Sequence, residues 1–200
     1  MKENFKKILP LVFFLVTSHT ILGQVYFNPD ALKAANESKT YFGLASGVES
    51  FAGMIGLSLE GNVARNFSLY AGAGLGGWGY KLSGGVKIYR SFPYRWAYCA
   101  SLSHASGLKD FKTKMETSSG SQDVVMDLLS CQTFNLTAQH HWKIGNRNNR
   151  FNVEFGLSLA LTQDAYKVKN GVVLTDQSAN LMKVLQPGGL TAGIGFSFGR

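Results

Sequence analysis

The stretch LTAGIGFSFGR, residues 190–200, ends the chain and alternates between two kinds of side chain almost to its last residue. A period of two is typical of a β-strand whose two faces meet different surroundings. Chain termini usually fray, so a terminal strand this regular indicates neighbours along its whole length. Gly and small polar residues occupy one phase. The other phase consists of Leu190, Ala192, Ile194, Phe196 and Phe198.

Seven further segments carry the same alternation and bring the predicted count to eight strands. Each is about ten residues long, which is enough to cross a hydrocarbon layer when the strand is tilted. Five segments alternate cleanly and start at Met54, Phe67, Tyr80, Phe134 and Phe151. Two alternate less cleanly and start at Tyr41 and Arg95.

The connections between these segments also follow a pattern. EGNVARN, RSFPYR and GNRNN are short and rich in turn-forming residues, whereas the connections after Ala105 and after Gln163 exceed 20 residues. Outer-membrane barrels place tight turns on the periplasmic side and longer loops outside. Closing the sheet gives the last strand a partner on each side, and lipid requires that closure because unpaired backbone groups are costly there. We therefore predict an all-β, eight-stranded antiparallel transmembrane up-and-down barrel.

Alternation alone does not say which face points outward. A soluble calycin-type barrel also alternates, with its apolar face inward, and would bind a small apolar ligand. The polar phase here is mostly Gly, Ser, Thr and Asn, and charged residues make up only 16% of the chain, which favours apolar side chains facing lipid. The 23 glycines predict a narrow, packed lumen without an open pore. Aromatic residues near strand ends suit the two membrane interfaces: Phe67, Tyr80, Trp96, Trp142, Phe151 and Phe198.

The first residues form a different kind of sequence. Three lysines precede the apolar run ILPLVFFLV, which predicts a cleaved signal peptide over residues 1–23. A short periplasmic lead over residues 24–38 and a barrel over residues 39–200 complete the predicted organisation. Removing residues 1–23 lowers the net charge from +8 to +6, and the remaining basic residues form no stripe interleaved with aromatics. We expect export to the outer membrane of a Gram-negative envelope and no nucleic-acid partner.

Together, the signal, the eight alternating strands, the connection rhythm and the aromatic terminal strand resemble the small outer-membrane β-barrel proteins of the OmpA/OmpX type. The resemblance covers residues 39–199 as a pattern rather than as a specific motif. It departs at the end, because such barrels commonly finish on an aromatic residue and this chain finishes Phe198-Gly199-Arg200. The resemblance implies a structural or surface-interaction role in contact with outer-membrane lipid and lipopolysaccharide.

Several ionisable residues fall on the inward phase. Buried charges must pair or neutralise, so we expect a salt-bridge network that fixes the packing of the lumen, with Glu60 or Glu154 meeting Lys81 or Lys87. A proton or ion path is the alternative. The inward set is Glu60, Lys81, Lys87, His141, Lys143 and Glu154.

The stretch SLSHASGLKDF is the one that looks catalytic. His104 and Ser106 lie two residues apart and could act as base and nucleophile, with Glu116 orienting the histidine. His-x-Ser near the outer leaflet is similar to the lipid A deacylases, which are eight-stranded barrels that hydrolyse acyl esters of membrane lipid. That family has Asn after the serine, where this chain has Gly107. The alternative is an interfacial histidine and a loop serine.

The two long connections, residues 106–130 and 164–186, are predicted to be surface loops that contact lipid or a surface protein partner. Their lysines either bind phosphates of the outer-leaflet glycolipid or are simply solvated. These candidates are Lys109, Lys112, Lys114, Lys167 and Lys169.

The chain holds two cysteines, Cys99 and Cys131, and the sequence leaves open whether they form a disulfide. Symmetric hairpin pairing would place Cys99 near residue 136 rather than 131. Cys, Asp and His do not cluster at metal-ligand spacing, so we predict neither a metal nor another cofactor.

Overall fold

Eight antiparallel strands close into a barrel in this computed structural model, which describes residues 40–64, 66–90, 96–145, 148–162, 165–169 and 171–200. The predicted signal peptide and periplasmic lead lie outside the described residues. The barrel strands are β1 (Thr40–Val48), β2 (Ile55–Ala64), β3 (Phe67–Gly76), β4 (Gly79–Tyr89), β5 (Trp96–Ala105), β8 (Cys131–Ile144), β9 (Asn149–Ala160) and β11 (Gly189–Gly199).

The terminal strand β11 pairs with β9 on one side and with β1 on the other, which confirms the predicted closure. Tyr41 of β1 pairs directly with Gly199 of β11. When cross-strand partners are traced from Tyr41 in the other direction, through β2, β3, β4, β5, β8 and β9 in turn, the path reaches β11 at Gly189, ten residues before Gly199. A stagger of ten residues around eight strands tilts the strands by about 40° and gives a radius of roughly 8 Å. The lumen is therefore only as wide as side chains can fill.

The two faces of the barrel wall differ in chemistry. Among the described residues of the eight strands, no Asp, Glu, Lys or Arg lies on the outward phase. Outward Leu44 and Leu57 are 54% and 47% exposed, whereas inward Glu60 and Glu154 are 7% and 2% exposed. The apolar face therefore points outward, opposite to the arrangement that a soluble ligand-binding barrel requires.

The two ends of the barrel also differ. Thr40 and Arg200 meet at one end, where the Arg200 backbone N–H donates to the Thr40 carbonyl (2.9 Å). Strands β2, β4 and β8 finish at this end and β3, β5 and β9 begin there, so we call it the short-turn end. Both long connections leave the opposite, long-connection end, so the predicted rhythm is confirmed.

The long connections, for which the sequence predicts only loops, contain regular structure. A separate antiparallel sheet, which we call the outer sheet, consists of β6 (Leu108–Thr117), β7 (Gly120–Leu128) and β10 (Tyr166–Val168). One helix, α1 (Asp176–Leu185), packs on it through Met182, which joins Met115, Val124 and Met126 in a buried cluster. Trp78, in the tight turn between β3 and β4, belongs to the same cluster and ties the outer sheet to the barrel.

Local chemistry sets the ends of α1. The Thr175 hydroxyl accepts from the Ser178 backbone N–H (3.3 Å), which caps the helix, and Asp176 lies in the first turn where the helix dipole favours a negative charge. Lys183 occupies the last turn, and Pro187 follows shortly after the helix ends. Among the described residues, no helix combines the length and the hydrophobicity needed to cross a bilayer.

The register settles the disulfide that the sequence left open. Cys99 lies opposite Thr137, while Cys131 lies opposite Ala105, six residues further along the same pair of strands. Six residues correspond to about 20 Å, far beyond the Cα separation that a disulfide spans. Both thiols are free and buried.

We predict that two thiols per chain react with an alkylating agent in denaturant without any reductant. The measurement is the mass of the alkylated protein with and without prior reduction. Alkylation that occurs only after reduction would contradict the register of β5 and β8.

Candidate functional site

A charged cluster fills the lumen near the short-turn end. Lys87 Nζ lies 2.6 Å from Glu60 Oε2, and the Tyr89 hydroxyl donates to Glu60 Oε1. Arg150 Nη1 lies 3.9 Å from the same carboxylate, and the guanidinium stacks on the Tyr41 ring at 3.6 Å and donates to the Tyr41 hydroxyl. All five side chains are buried. One carboxylate thus faces two cations, and two tyrosines complete its surroundings.

Strand register explains why these residues meet. Tyr41 and Glu60 are direct cross-strand partners, and Lys87 and Tyr89 are two residues apart on the inward face of β4. The expected meeting of Glu60 with Lys87 is present in the structure. Arg150 is absent from the predicted set because it lies between the predicted turn GNRNN and the alternating run that starts at Phe151, although it directly precedes that run and holds its inward phase.

Two other residues of the predicted lumen set lie near this cluster. The His141 ring is buried and its centroid lies 5.6 Å from that of Tyr89. Lys143 continues the inward phase of β8 but is exposed, because it lies beyond the cluster at the short-turn end. The cluster therefore ends the packed part of the lumen.

Glu154 lies apart from the Glu60 cluster. It is 2% exposed, and its Oε1 has no hydrogen-bond partner among the described residues. Its polar neighbours are Thr137 and Gln139, and it forms no ion pair with Lys81 or Lys87. A polar lining thus follows β8, β9 and β11 above the Glu60 cluster. Among the described residues, the lining atoms without a hydrogen-bond partner also belong to Thr137, Gln139, His141, Ser158 and Thr191.

The connection between β1 and β2 folds back into the lumen from the long-connection end. We call residues 49–54 the inserted loop. Phe51 is 6% exposed and meets the Tyr70 ring edge to face, with centroids 5.3 Å apart. The Ser83 hydroxyl donates to the Phe51 carbonyl (2.5 Å), and Lys81 Nζ lies 3.0 Å from Glu49 Oε2. Lys81, also on the inward phase, therefore forms its ion pair with Glu49 of the inserted loop and not with Glu60 or Glu154 on a strand.

Inward glycines make room for the inserted loop. A Cβ at Gly72 would lie 2.8 Å from Cδ2 of Phe51, and a Cβ at Gly74 would lie 2.1 Å from the Ala52 carbonyl oxygen. Larger residues at these positions would collide with the loop. The lumen is consequently closed twice, by the Glu60 cluster near one end and by the inserted loop near the other.

The three catalytic candidates are not assembled. His104 points outward at the end of β5 and is exposed. The Ser106 hydroxyl accepts from the Tyr80 backbone N–H (3.0 Å) and donates to the Gly107 carbonyl (3.1 Å), so it stabilises the chain reversal after β5. Glu116 lies near the tip of β6, eight residues from its start, which is about 26 Å along the strand.

The five candidate lysines also separate into two groups. Lys169 Nζ lies 2.6 Å from Asp110 Oδ1 and 2.9 Å from Asp127 Oδ1, so carboxylates already neutralise it. The hydrogen bond from the Asp110 backbone N–H, followed by that from Lys169, lowers the pKa of Asp127, and the bonds to Asp110 and Asp127 raise the pKa of Lys169. The remaining candidates are exposed on the outer sheet: Lys109, Lys112, Lys114 and Lys167.

Among the described residues, no group of three His, Cys, Asp or Glu side chains has the geometry to hold a metal ion. The described lining of the lumen consists of the Glu60 cluster, the polar residues around Glu154 and the inserted loop. Its chemistry is electrostatic and steric: it pairs charges within a narrow barrel and blocks the path along its axis.

We predict that Glu60→Gln lowers the free energy of unfolding by about 3–5 kcal/mol, because it leaves Lys87 and Arg150 buried without their anion. Glu154→Gln is the matched control, since Glu154 has no ion pair among the described residues, and we expect a change below about 1 kcal/mol. Urea unfolding in lipid vesicles measures both. Equal losses in the two variants would contradict the placement of the charge network around Glu60.

We also predict that Gly72→Val displaces the inserted loop, whereas Gly84→Val does not. Gly72 faces the Phe51 ring, and Gly84 lies on the outward phase with no atom within 4 Å of its added Cβ. Hydrogen exchange should lose protection at the Gly53 and Met54 amides, which donate to Ser50 and Leu75 carbonyls in the wild type. Unchanged protection in Gly72→Val would show that the loop is not seated in the lumen.

Comparison with known proteins adds no relative. No protein-family model, no curated protein and no solved structure matches this chain. The geometry of the barrel and its lumen is therefore the basis on which a function is proposed.

Proposed function

We propose that this chain is an integral outer-membrane protein with a closed lumen, whose role is structural or depends on contacts made by its outer sheet. The single observation that carries this proposal is the distribution of side chains on the wall. Among the described strand residues the outward face is free of charge, while six charged residues lie on the inward phase: Glu60, Lys81, Lys87, Lys143, Arg150 and Glu154.

The dimensions of the apolar face support a membrane environment. Ten residues at about 3.3 Å each, tilted by about 40°, cover roughly 25 Å, the height of the apolar band of outer-membrane barrels. Aromatic rings follow the short-turn rim, where Trp96 meets His140 at 4.6 Å and Trp142 meets Phe151 at 5.7 Å between centroids. Such rings suit the level of lipid headgroups.

The closed lumen argues against a transport role. An eight-stranded barrel is only wide enough for its own side chains. In this barrel the Glu60 cluster fills the lumen near the short-turn end, and the inserted loop fills it near the long-connection end. The separation of Glu116 from His104 and the hydrogen bonds of Ser106 likewise give no support to acyl ester hydrolysis. What remains for function is the outer surface, with lipid, lipopolysaccharide or a surface protein as partners of the outer sheet and its four exposed lysines.

We expect the protein to fractionate with the envelope and to migrate differently on a gel before and after heating, as folded membrane barrels do.

Leu57→Arg places a charge near the middle of the outward band and should lower the free energy of unfolding in vesicles by about 2–4 kcal/mol. Ser121→Arg, exposed near the tip of the outer sheet, is the control and should change it by less than about 0.5 kcal/mol. Recovery of the folded wild type as a monomer in buffer without detergent would overturn the proposal.

A further inference from the structure

Helix α1 carries apolar side chains that the outer sheet does not cover. Its buried residues are Ser178 and Met182, and Met182 belongs to the buried cluster of the outer sheet. We call Leu181, Val184 and Leu185 the apolar stripe of α1. These residues are 51%, 78% and 56% exposed, and their i, i+3, i+4 spacing places them on one side of the helix.

The two ends of α1 fix its course. At its start, the Thr175 hydroxyl donates to the Glu116 carbonyl (3.2 Å), and Leu174 forms a bridge with Thr117, next to the tip of the β6–β7 hairpin. After its end, Gly189 begins β11 and pairs with Ser158 at the barrel rim. The helix therefore runs from the tip of the outer sheet towards the barrel, and Val184 and Leu185 lie in its last turn, nearest the rim.

The apolar stripe continues the outward wall of the barrel. Leu185 and Gly189 are four residues apart, a distance of at most about 14 Å. At this end of the wall, Leu190, the cross-strand partner of Leu157, is 78% exposed, and Leu161, which follows the last residue of β9, is 55% exposed. From Val184 to Gly199, which covers the end of the stripe and all of β11, the chain contains no charged residue.

We infer that the apolar stripe of α1 inserts into the lipid leaflet next to the long-connection end of the barrel. This inference depends on the proposed function, because the wall that the stripe continues must itself lie in lipid. The occupant is a lipid surface rather than a protein, since the stripe adjoins a wall surrounded by acyl chains. The polar side of the helix, with Asp176 and Lys183, faces water, and Lys183 in the last turn is placed to meet headgroup phosphates.

The experiment places a nitroxide label at Val184→Cys, with Lys183→Cys as the matched control on the polar side of the same helical turn. A third label at Leu57→Cys reports on the barrel wall. Cys99 and Cys131 are 3% and 1% exposed, so the folded protein is labelled without removing them. Collision rates with oxygen and with a water-soluble nickel chelate are measured in phosphatidylcholine vesicles.

The inference predicts that labels at positions 184 and 57 collide mainly with oxygen and that the label at position 183 collides mainly with the nickel chelate. A label at 184 that prefers the nickel chelate, or that is shielded from both reagents by another protein molecule, overturns the inference while the label at 57 still supports a membrane barrel. A label at 57 that prefers the nickel chelate overturns the proposed function as well.

Discussion

Closure of the strand ladder through Tyr41 and Gly199 is the constraint on which the rest of the structure depends. Once β1 and β11 pair, no backbone edge remains in the wall, and each residue of a strand faces either the outside or a lumen of roughly 8 Å radius. Because alternate residues of each strand point inward, the charged residues on the inward phase come together in this narrow lumen. The packing of the lumen follows from this sorting.

Two different devices close the lumen. Near the short-turn end, Glu60 is surrounded by Lys87, Arg150 and two tyrosines, so large side chains satisfy one another electrostatically. Near the long-connection end, the strands present glycines, and the inserted loop supplies the missing volume through Phe51 and Ala52. Charge pairing and backbone insertion thus fill complementary regions of the same cylinder.

The eight barrel strands were predictable because the apolar outward face and the polar inward face differ strongly, which gives the sequence a clear period of two. The outer sheet was missed for the opposite reason. Many residues of β6 are charged, and β10 has only three residues. The buried face of the outer sheet shows few large apolar residues on β6 and β7, namely Met115, Val124, Met126 and Leu128. Burial there depends on contacts with Met182 and Trp78, which are distant in the chain and leave no local pattern.

The lumen site was predictable in its membership but not in its pairing. Inward phase identified Glu60, Lys87 and Glu154, yet phase says nothing of height along the barrel, which depends on the stagger between strands. That stagger brings Glu60 to Lys87 and leaves Glu154 beside Thr137 and Gln139. Glu49, which pairs with Lys81, lies in a connection whose course alternation does not determine.

Tryptophan fluorescence in vesicles of lipids brominated on their acyl chains tests the orientation of the wall most directly. Trp96 and Trp142 face outward and are 39% and 47% exposed, whereas Trp78 is 7% exposed and donates its indole N–H to the Leu129 carbonyl (3.1 Å). In variants that retain a single tryptophan, the account predicts strong quenching of Trp96 and Trp142 and little quenching of Trp78. Emission from Trp96 and Trp142 that is unaffected by bromine would contradict it, because the apolar face would then not contact lipid.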